Sequence, residues 1–458
     1  MTPGMALVAW FVLFLALLYF DPARVQGTSV ALWVPVIWMF IAETRLPSQW
    51  LAVQFRVRAS TAPLIEDGNP LDRTVYLILI LLAIGILVSR SFKWSEFVVR
   101  NPALTLLFCF TLASILWSDF PFVAWKRWFR DLGTYLMILI VLSDPVPLEA
   151  VRTFLRRLHY TVIPLSVVLV RYFPEFGKQY SDWTGAPEFI GAATSKNTLG
   201  VACLLSGIFF FWDTVIRWSQ RQERRTKLIL GLNIVLFVMT VWLLHMCDSA
   251  TSRVCLILGC ILTLTVQSSW ARRHPSSIKI LMPSCFFAYV ILAFGFGLNA
   301  SFVGQVGRDP SFTGRTTIWQ AVLSTNTNPL VGAGYESFWL GPRLDHIWAI
   351  TGFGINEAHD GYLDVYLNLG YIGLAIVAGL LITSYATICA GLTRRSSLAS
   401  LSAPLWTIAL FYNVTEASWK PVFMCLTFLL GTIIIPERSV RFVSAGTNRR
   451  STAALSLH

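Results

Sequence analysis

The chain has 458 residues, of which 55% are hydrophobic and only 13% charged. Ordinary globular domains carry about one quarter charged residues, so a water-soluble fold of this length is excluded. A formal charge of +12 would raise nucleic acid as a partner for a soluble protein. Here the basic residues sit mainly in short loops between apolar runs, where they set membrane orientation, and no basic stripe interleaved with stacking aromatics lies outside those runs.

Apolar runs fall at residues 5–20, 29–43, 74–89, 102–117, 131–144, 159–173, 198–216, 228–246, 254–269, 280–298, 362–390, 403–414 and 421–435. They predict an all-α, polytopic integral membrane protein with roughly 12–13 spans, each needing about 20 residues or slightly fewer. The first run, Met5 to Phe20, lacks a basic start and a clear small-residue cleavage site, and reads as a retained span. The cysteines form no C-x-x-C pair and, apart from Cys247, lie inside apolar runs as small packing residues.

Arg217, Arg221, Arg224, Arg225 and Lys227 form one basic loop, and Arg272, Arg273 and Lys279 another. Arg394 with Arg395, and a tail with Arg438, Arg441, Arg449 and Arg450, complete the set. All fall on one side of the predicted spans, which the positive-inside rule makes cytoplasmic. The expected organisation is an N-terminal transmembrane bundle over 1–298, a large helical periplasmic loop over 299–361, C-terminal transmembrane helices over 362–435 and a cytoplasmic tail over 436–458.

Trp117 to Arg130 comes out external and yet carries Lys126, Arg127 and Arg130. Its alternation of aromatic and basic residues fits a helix in the interface, a cationic collar for an anionic lipid head group. The competing reading is an early span count that is off by one.

Further along, Thr194 to Gly200 opens a span, with Lys196 beside helix-end amides, either an anion site or a snorkelling interface lysine. In the short external turn Asp248 to Arg253, Arg253 either contacts phosphate or anchors a helix end. The loop of about sixty residues is too long for a passive connector. Within it, Phe312 to Trp319 reads as a capped helix start that puts Arg315 and Trp319 on one face, with an end at Asn326 to Pro329. Gly332-Ala333-Gly334-Tyr335 reads as a tight turn whose amides could approach a ligand. Asn356 is a candidate N-cap, which places His359 in the first turn of the next span, where the helix dipole favours a neutral imidazole able to accept a proton. The bland alternative for His359 is a cap or interface anchor. Glu416, in the external turn after Asn413, either joins this face or merely caps helices.

Together, Lys196, Arg253, Arg315 and His359 place cations and a base on one membrane face. That set suits a lipid pyrophosphate leaving group, whose charge Arg and Lys stabilise as it departs while an imidazole takes the proton of an attacking hydroxyl. No D-x-D, HExxH, P-loop, GxSxG or GxGxxG context occurs, so metal-assisted sugar transfer is not indicated.

Several short motifs also follow one another in order. They are Trp117-Ser118-Asp119-Phe120-Pro121 with Lys126 and Arg127; Thr194-Ser195-Lys196-Asn197-Thr198-Leu199-Gly200; Gly314-Arg315 followed by Trp319; and Asn328-Pro329-Leu330-Val331-Gly332-Ala333-Gly334. Glu357-Ala358-His359-Asp360-Gly361-Tyr362-Leu363, then Gly370-Tyr371-Ile372-Gly373, and finally Asn413-Val414-Thr415-Glu416 complete the series. Over nearly the whole chain these resemble the O-antigen ligase and polysaccharide polymerase superfamily, in its exopolysaccharide-production branch. The resemblance implies a wholly helical glycosyltransferase of the bacterial inner membrane with its site facing the periplasm, using no metal or other cofactor. It implies an undecaprenyl-pyrophosphate-linked glycan as donor and a glycan or lipid A core as acceptor. By the same resemblance Arg315 binds pyrophosphate, His359 is the base, and Lys196 stands at the mouth of the site. Asp360 departs from the Asn usual after the histidine, and would either polarise His359 or weaken binding of an anionic donor. Polymerisation, ligation onto lipid A core and transfer to protein stay open, and the alternative from another class is a transporter or flippase of lipid-linked oligosaccharides. Against transport, the apolar runs hold few charges apart from Asp213 and show no inverted repeat.

Overall fold

A computed structural model describes residues 1–21, 27–55, 68–180, 185–291, 315–352 and 354–419, together with 433. The expected last span at 421–435, the tail from 436 and the segment Phe312 to Gly314 of the expected cap lie outside the described residues, residue 433 apart. The protein is an all-α membrane protein, with one two-stranded hairpin, β1 (Lys178–Tyr180) against β2 (Pro187–Phe189).

Each other apolar run lies on helix where it is described, residues 292–298 being outside the described residues: α1 (Pro3–Tyr19), α2 (Trp33–Glu43), α3 (Pro70–Ser89), α4 (Pro102–Ala113), α5 (Pro121–Leu142), α6 (Pro147–Tyr172), α7 (Lys196–Arg217), α8 (Arg224–Met246), α9 (Ala250–Gln267) and α10 (Pro275–Val290). Two helices of the long loop follow, α11 (Arg315–Leu323) and α12 (Gly341–Thr351), then α13 (Gly361–Thr393) and α14 (Ser397–Tyr412). Among the described residues, 6 helices are long and apolar enough to cross a bilayer alone, or up to 7 if the pair bent by 101° at Asn101 counts as one span. The remaining runs sit on shorter or more charged helices, which is why a count from apolar runs exceeds a count by length. The segment from Trp117 that resembled an interfacial helix is instead a 3-10 turn followed by the first turns of α5, which carries on into the bundle.

Contacts place the helix ends. Arg90 after α3 bonds the carbonyl of Ile140 and the carboxylate of Asp144 at the end of α5, so these ends lie together. At the other end of α5, Ser118 meets Ser337 and Arg127 meets the carbonyl of Glu336, so this start lies beside the long loop. The start of α7, the turn between α8 and α9, and the end of α14 share that loop end. The basic turns around Arg221 and Arg394 follow at the opposite end.

The bundle interior is more charged than the apolar runs suggested. Asp213 on α7 is fully buried and faces Arg217 at 2.9 Å, Arg152 at 3.3 Å and the amide of Asn233 at 3.0 Å. Asp21 pairs with Arg156 at 2.9 Å and Arg157 at 2.7 Å. Arginines of α6 thus fasten it to α7 and to Asp21 just after α1, while Asn233 ties α8 to α7. Buried ions of this kind persist in an apolar bundle only when paired.

The break in α13 is built by two distant segments. Gly370 has φ 65 and ψ −166, which interrupts the helical hydrogen bonds. The freed carbonyls of Leu367 and Asn368 accept from the amides of Ala333 and Gly334, and the amides of Tyr371 and Ile372 donate to the carbonyls of Pro329 and Leu330. Non-helical backbone at such depth survives only when other protein groups satisfy it. A Cβ on Gly332 would stand 2.4 Å from the backbone of Asn368 and Leu369, so the glycines allow backbone to meet backbone. The amides expected to approach a ligand are therefore spent on α13.

Candidate functional site

The loop carries its own small core, in which Ile318 and Val322 of α11, Ile347 of α12, Phe338, Trp339 and Ala358 pack against Leu367 of α13. This core fixes the two loop residues of interest. The indole of Trp319 donates to the carbonyl of Ala358 at 2.9 Å, so the face shared by Arg315 and Trp319 is turned toward the His359 turn. The amide of Ala358 donates to Asp364 at 3.2 Å, and the amide of Gly361 to the carbonyl of Asn413 at 2.8 Å.

Pinned on both sides, His359 adopts φ 51. A non-glycine residue in that region stores about 1–3 kcal/mol of strain, which marks functional sites more often than ordinary turns. The N-cap of α13 is Asp360, not Asn356: one oxygen of Asp360 accepts from the amides of Tyr362 and Leu363, both at 2.9 Å. His359 thus lies before the helix, and Asp360 is committed to capping rather than to polarising it.

Instead, the long-range partner is Glu416. One oxygen of this buried carboxylate accepts from Arg315 at 2.9 Å. The other accepts from Asn197 at 3.0 Å and lies 3.5 Å from His359 Nδ1. Glu357 places an oxygen 3.1 Å from the same Nδ1. Burial alone would lower the imidazole pKa, but hydrogen bonding and charge from Glu357 and Glu416 outweigh it and raise the value to about 9. The expectation of a neutral imidazole is therefore corrected: at neutral pH the ring is an imidazolium. The helix dipole was the wrong dominant influence, because two carboxylates at contact distance exceed a partial charge at a helix end.

The other expected residues take different places. Lys196 begins α7 beside Asn197, but its amine pairs with Glu188 of the hairpin at 2.6 Å. Arg253 pairs with Asp248 at 2.5 Å, while its turn touches that of Glu416 through Thr251 and Thr415 at 2.9 Å. Lys126 sits over the ring of Phe122, and Arg127 bonds the Glu336 carbonyl, both at the loop end. Asn197 and Glu357 were missed as individual residues, although both stand within the motifs read from the sequence.

Glu357, His359 and Glu416 also offer donor atoms within 4.8 Å of one another, a spacing that a cation could use. The chemistry of the set fits a metal poorly. Glu416 already gives one oxygen to Arg315 and the other to Asn197.

Comparison with known proteins points to a family. Residues 234–378 match the family described as O-Antigen ligase (Wzy_C), a stretch that includes Arg315 and His359. The chain is also similar to the exopolysaccharide production protein ExoQ of Rhizobium meliloti (strain 1021), with 27% identity over 294 residues. Both findings support a relationship to the O-antigen ligase and polysaccharide polymerase superfamily. The similarity to ExoQ covers 62% of this chain, and the chain spans 63% of the length of that curated relative.

Proposed function

We propose that the protein is a bacterial inner-membrane glycosyltransferase that moves a glycan from an undecaprenyl-pyrophosphate carrier to an acceptor hydroxyl at the periplasmic face. The observation that carries this reading is the meeting of Arg315 and His359, from separate segments of the loop, on the single buried carboxylate of Glu416. The basic turns around Arg221 and Arg394 lie at the opposite end, which the positive-inside rule assigns to the cytoplasm.

In the ligand-free site two cations face two carboxylates, so the guanidinium and imidazolium are held ready without net charge. A lipid diphosphate brings enough negative charge to compete for both. Arg315 meets the departing diphosphate oxygens, where a preorganised donor contributes about 10²–10³ in rate. His359, once deprotonated, takes the proton of the attacking hydroxyl, and Glu357 and Glu416 stabilise the imidazolium that forms, as the carboxylate does in a Ser-His-Asp triad. The raised pKa favours a second role as well, in which the imidazolium simply adds to the charge that receives the diphosphate. The two roles have opposite pH dependence: a base gains activity as pH rises toward about 9, and a cation loses it above that value.

Reconstitution with a lipid-linked oligosaccharide, with and without lipid A core, tests the function. A ladder of products identifies a polymerase, a single core-sized shift identifies a ligase, and no change in glycan size removes the transferase reading.

A further inference from the structure

A second concave site opens beside the first and has the opposite character. A crevice of about 550 Å³, its open mouth included, is walled by Tyr335, Glu336, Trp339, Asp364, Ala417 and Trp419. Gly361 also lines it, so it begins two residues from His359. Its carboxylates are Glu336 and Asp364, and among the described lining residues none is basic.

The walls are fixed in place. The indole of Trp339 donates to Asp364 at 3.0 Å, the hydroxyl of Tyr335 to Asp131 at 2.8 Å, and Ser114 accepts from the amide of Tyr335 at 3.0 Å. Glu336 is held at φ 50, a conformation that non-glycine residues rarely take outside constrained sites. Its carbonyl accepts from Arg127 at 2.5 Å, which keeps that turn against the start of α5.

Rigid aromatic faces with carboxylate acceptors suit an uncharged, hydroxyl-rich ligand. Apolar C–H faces of a sugar ring stack on aromatics, while its hydroxyls donate to carboxylates. A diphosphate would face the carboxylates of Glu336 and Asp364 there. We infer that this crevice binds the terminal sugars of the acceptor glycan and presents their hydroxyl toward His359. This inference rests on the proposed transferase reading: diphosphate on the Arg315 side of the His359 turn, neutral sugar on the Glu336 side.

Two probes separate the two sites in nanodisc-embedded full-length protein. One is sugar-free undecaprenyl pyrophosphate. The other is the water-soluble oligosaccharide released by mild acid from the lipid-linked glycan of the producing cells. The oligosaccharide should bind the wild type and weaken at least about tenfold in Ala417→Trp, which fills the crevice, and in Glu336→Gln, which removes an acceptor charge without changing shape. Undecaprenyl pyrophosphate should bind both variants like the wild type, which also shows that they are folded, and should weaken in Arg315→Ala. Oligosaccharide binding that is unchanged in both crevice variants, or absent from a wild type that binds undecaprenyl pyrophosphate, overturns the crevice assignment and leaves the transferase reading standing. Binding of oligosaccharide but not of undecaprenyl pyrophosphate overturns the diphosphate site and supports the crevice. Binding of neither overturns both.

Discussion

Two clusters of arginines and carboxylates stand at opposite ends of this bundle, and they use the same chemistry to different ends. Around Asp213 and Asp21 every carboxylate is wholly buried, and Arg152, Arg156 and Arg157 of α6 reach across to them from another element. Around Glu416 the carboxylate is buried, but Arg315 and His359 keep 16% and 27% of their side chains exposed, and both arrive from a loop. The first arrangement resists rearrangement because any unpaired charge would be left in an apolar bundle. The second holds its cations against a carboxylate while leaving them within reach of a ligand. Burial of both partners or of one therefore separates a fastening from a site.

The sharpest way to break the contrast is to remove its buried hub. Asp213→Ala leaves Arg152 and Arg217 without their shared carboxylate and should cost about 3–5 kcal/mol. Detergent-solubilised protein should melt well below wild type, while any folded fraction keeps its turnover. An unchanged melting temperature would show that the pairing contributes no more than a surface salt bridge does. His359→Ala should do the reverse, lowering turnover about 10²–10⁴-fold with melting nearly unchanged. For the wild type, a base with pKa raised to about 9 predicts that kcat/KM climbs roughly tenfold per pH unit from neutrality and levels near pH 9. In Glu416→Gln one raising influence is gone, so the plateau should begin at lower pH. A profile that instead falls above pH 9 would assign His359 to charge stabilisation.

The sequence made one end of this comparison far more legible than the other. Apolar runs alone were enough for a helical membrane protein, because a bilayer leaves so few ways to satisfy the backbone. Arg315, His359 and Glu416 were picked out singly, since few ionisable residues fall at helix ends on that face. Their pairing was not visible: Glu416 follows α14, and only the folded loop brings it to His359. The wrong protonation state came from the same blindness, a local helix-end argument made without the distant carboxylate. The assignment of Asn356 as N-cap failed because Asp360, nearer the helix, takes its first amides. Arg152, Arg156 and Arg157 stayed hidden because an arginine near a span end looks the same whether it faces head groups or a buried aspartate. The glycine turn at 332–334 was recognisable as a turn, but its partner at Gly370 was not, because that pairing is non-local.

Two smaller effects sharpen the account of the His359 turn. A methyl on Gly361 would stand 2.1 Å from Asn413 Oδ1, so Gly361→Ala should push that turn away from the Glu416 turn. Destabilisation of about 1–3 kcal/mol is expected, with a fall in turnover larger than the loss of folded protein explains. Equal losses of both would make the contact purely structural. Asp360→Asn should be almost silent, because Asn caps a helix about as well as Asp. A large fall in turnover with this variant would return Asp360 to the reacting groups.

Single-turnover transfer from an undecaprenyl-pyrophosphate-linked glycan in proteoliposomes, comparing wild type with Arg315→Ala and Arg315→Lys, tests the site most directly. The geometry predicts a fall of at least about 100-fold for Ala and partial recovery for Lys, which restores the charge but not the fork. Wild-type rates in both variants, with the protein inserted in the membrane, would contradict a role for Arg315 in receiving the diphosphate.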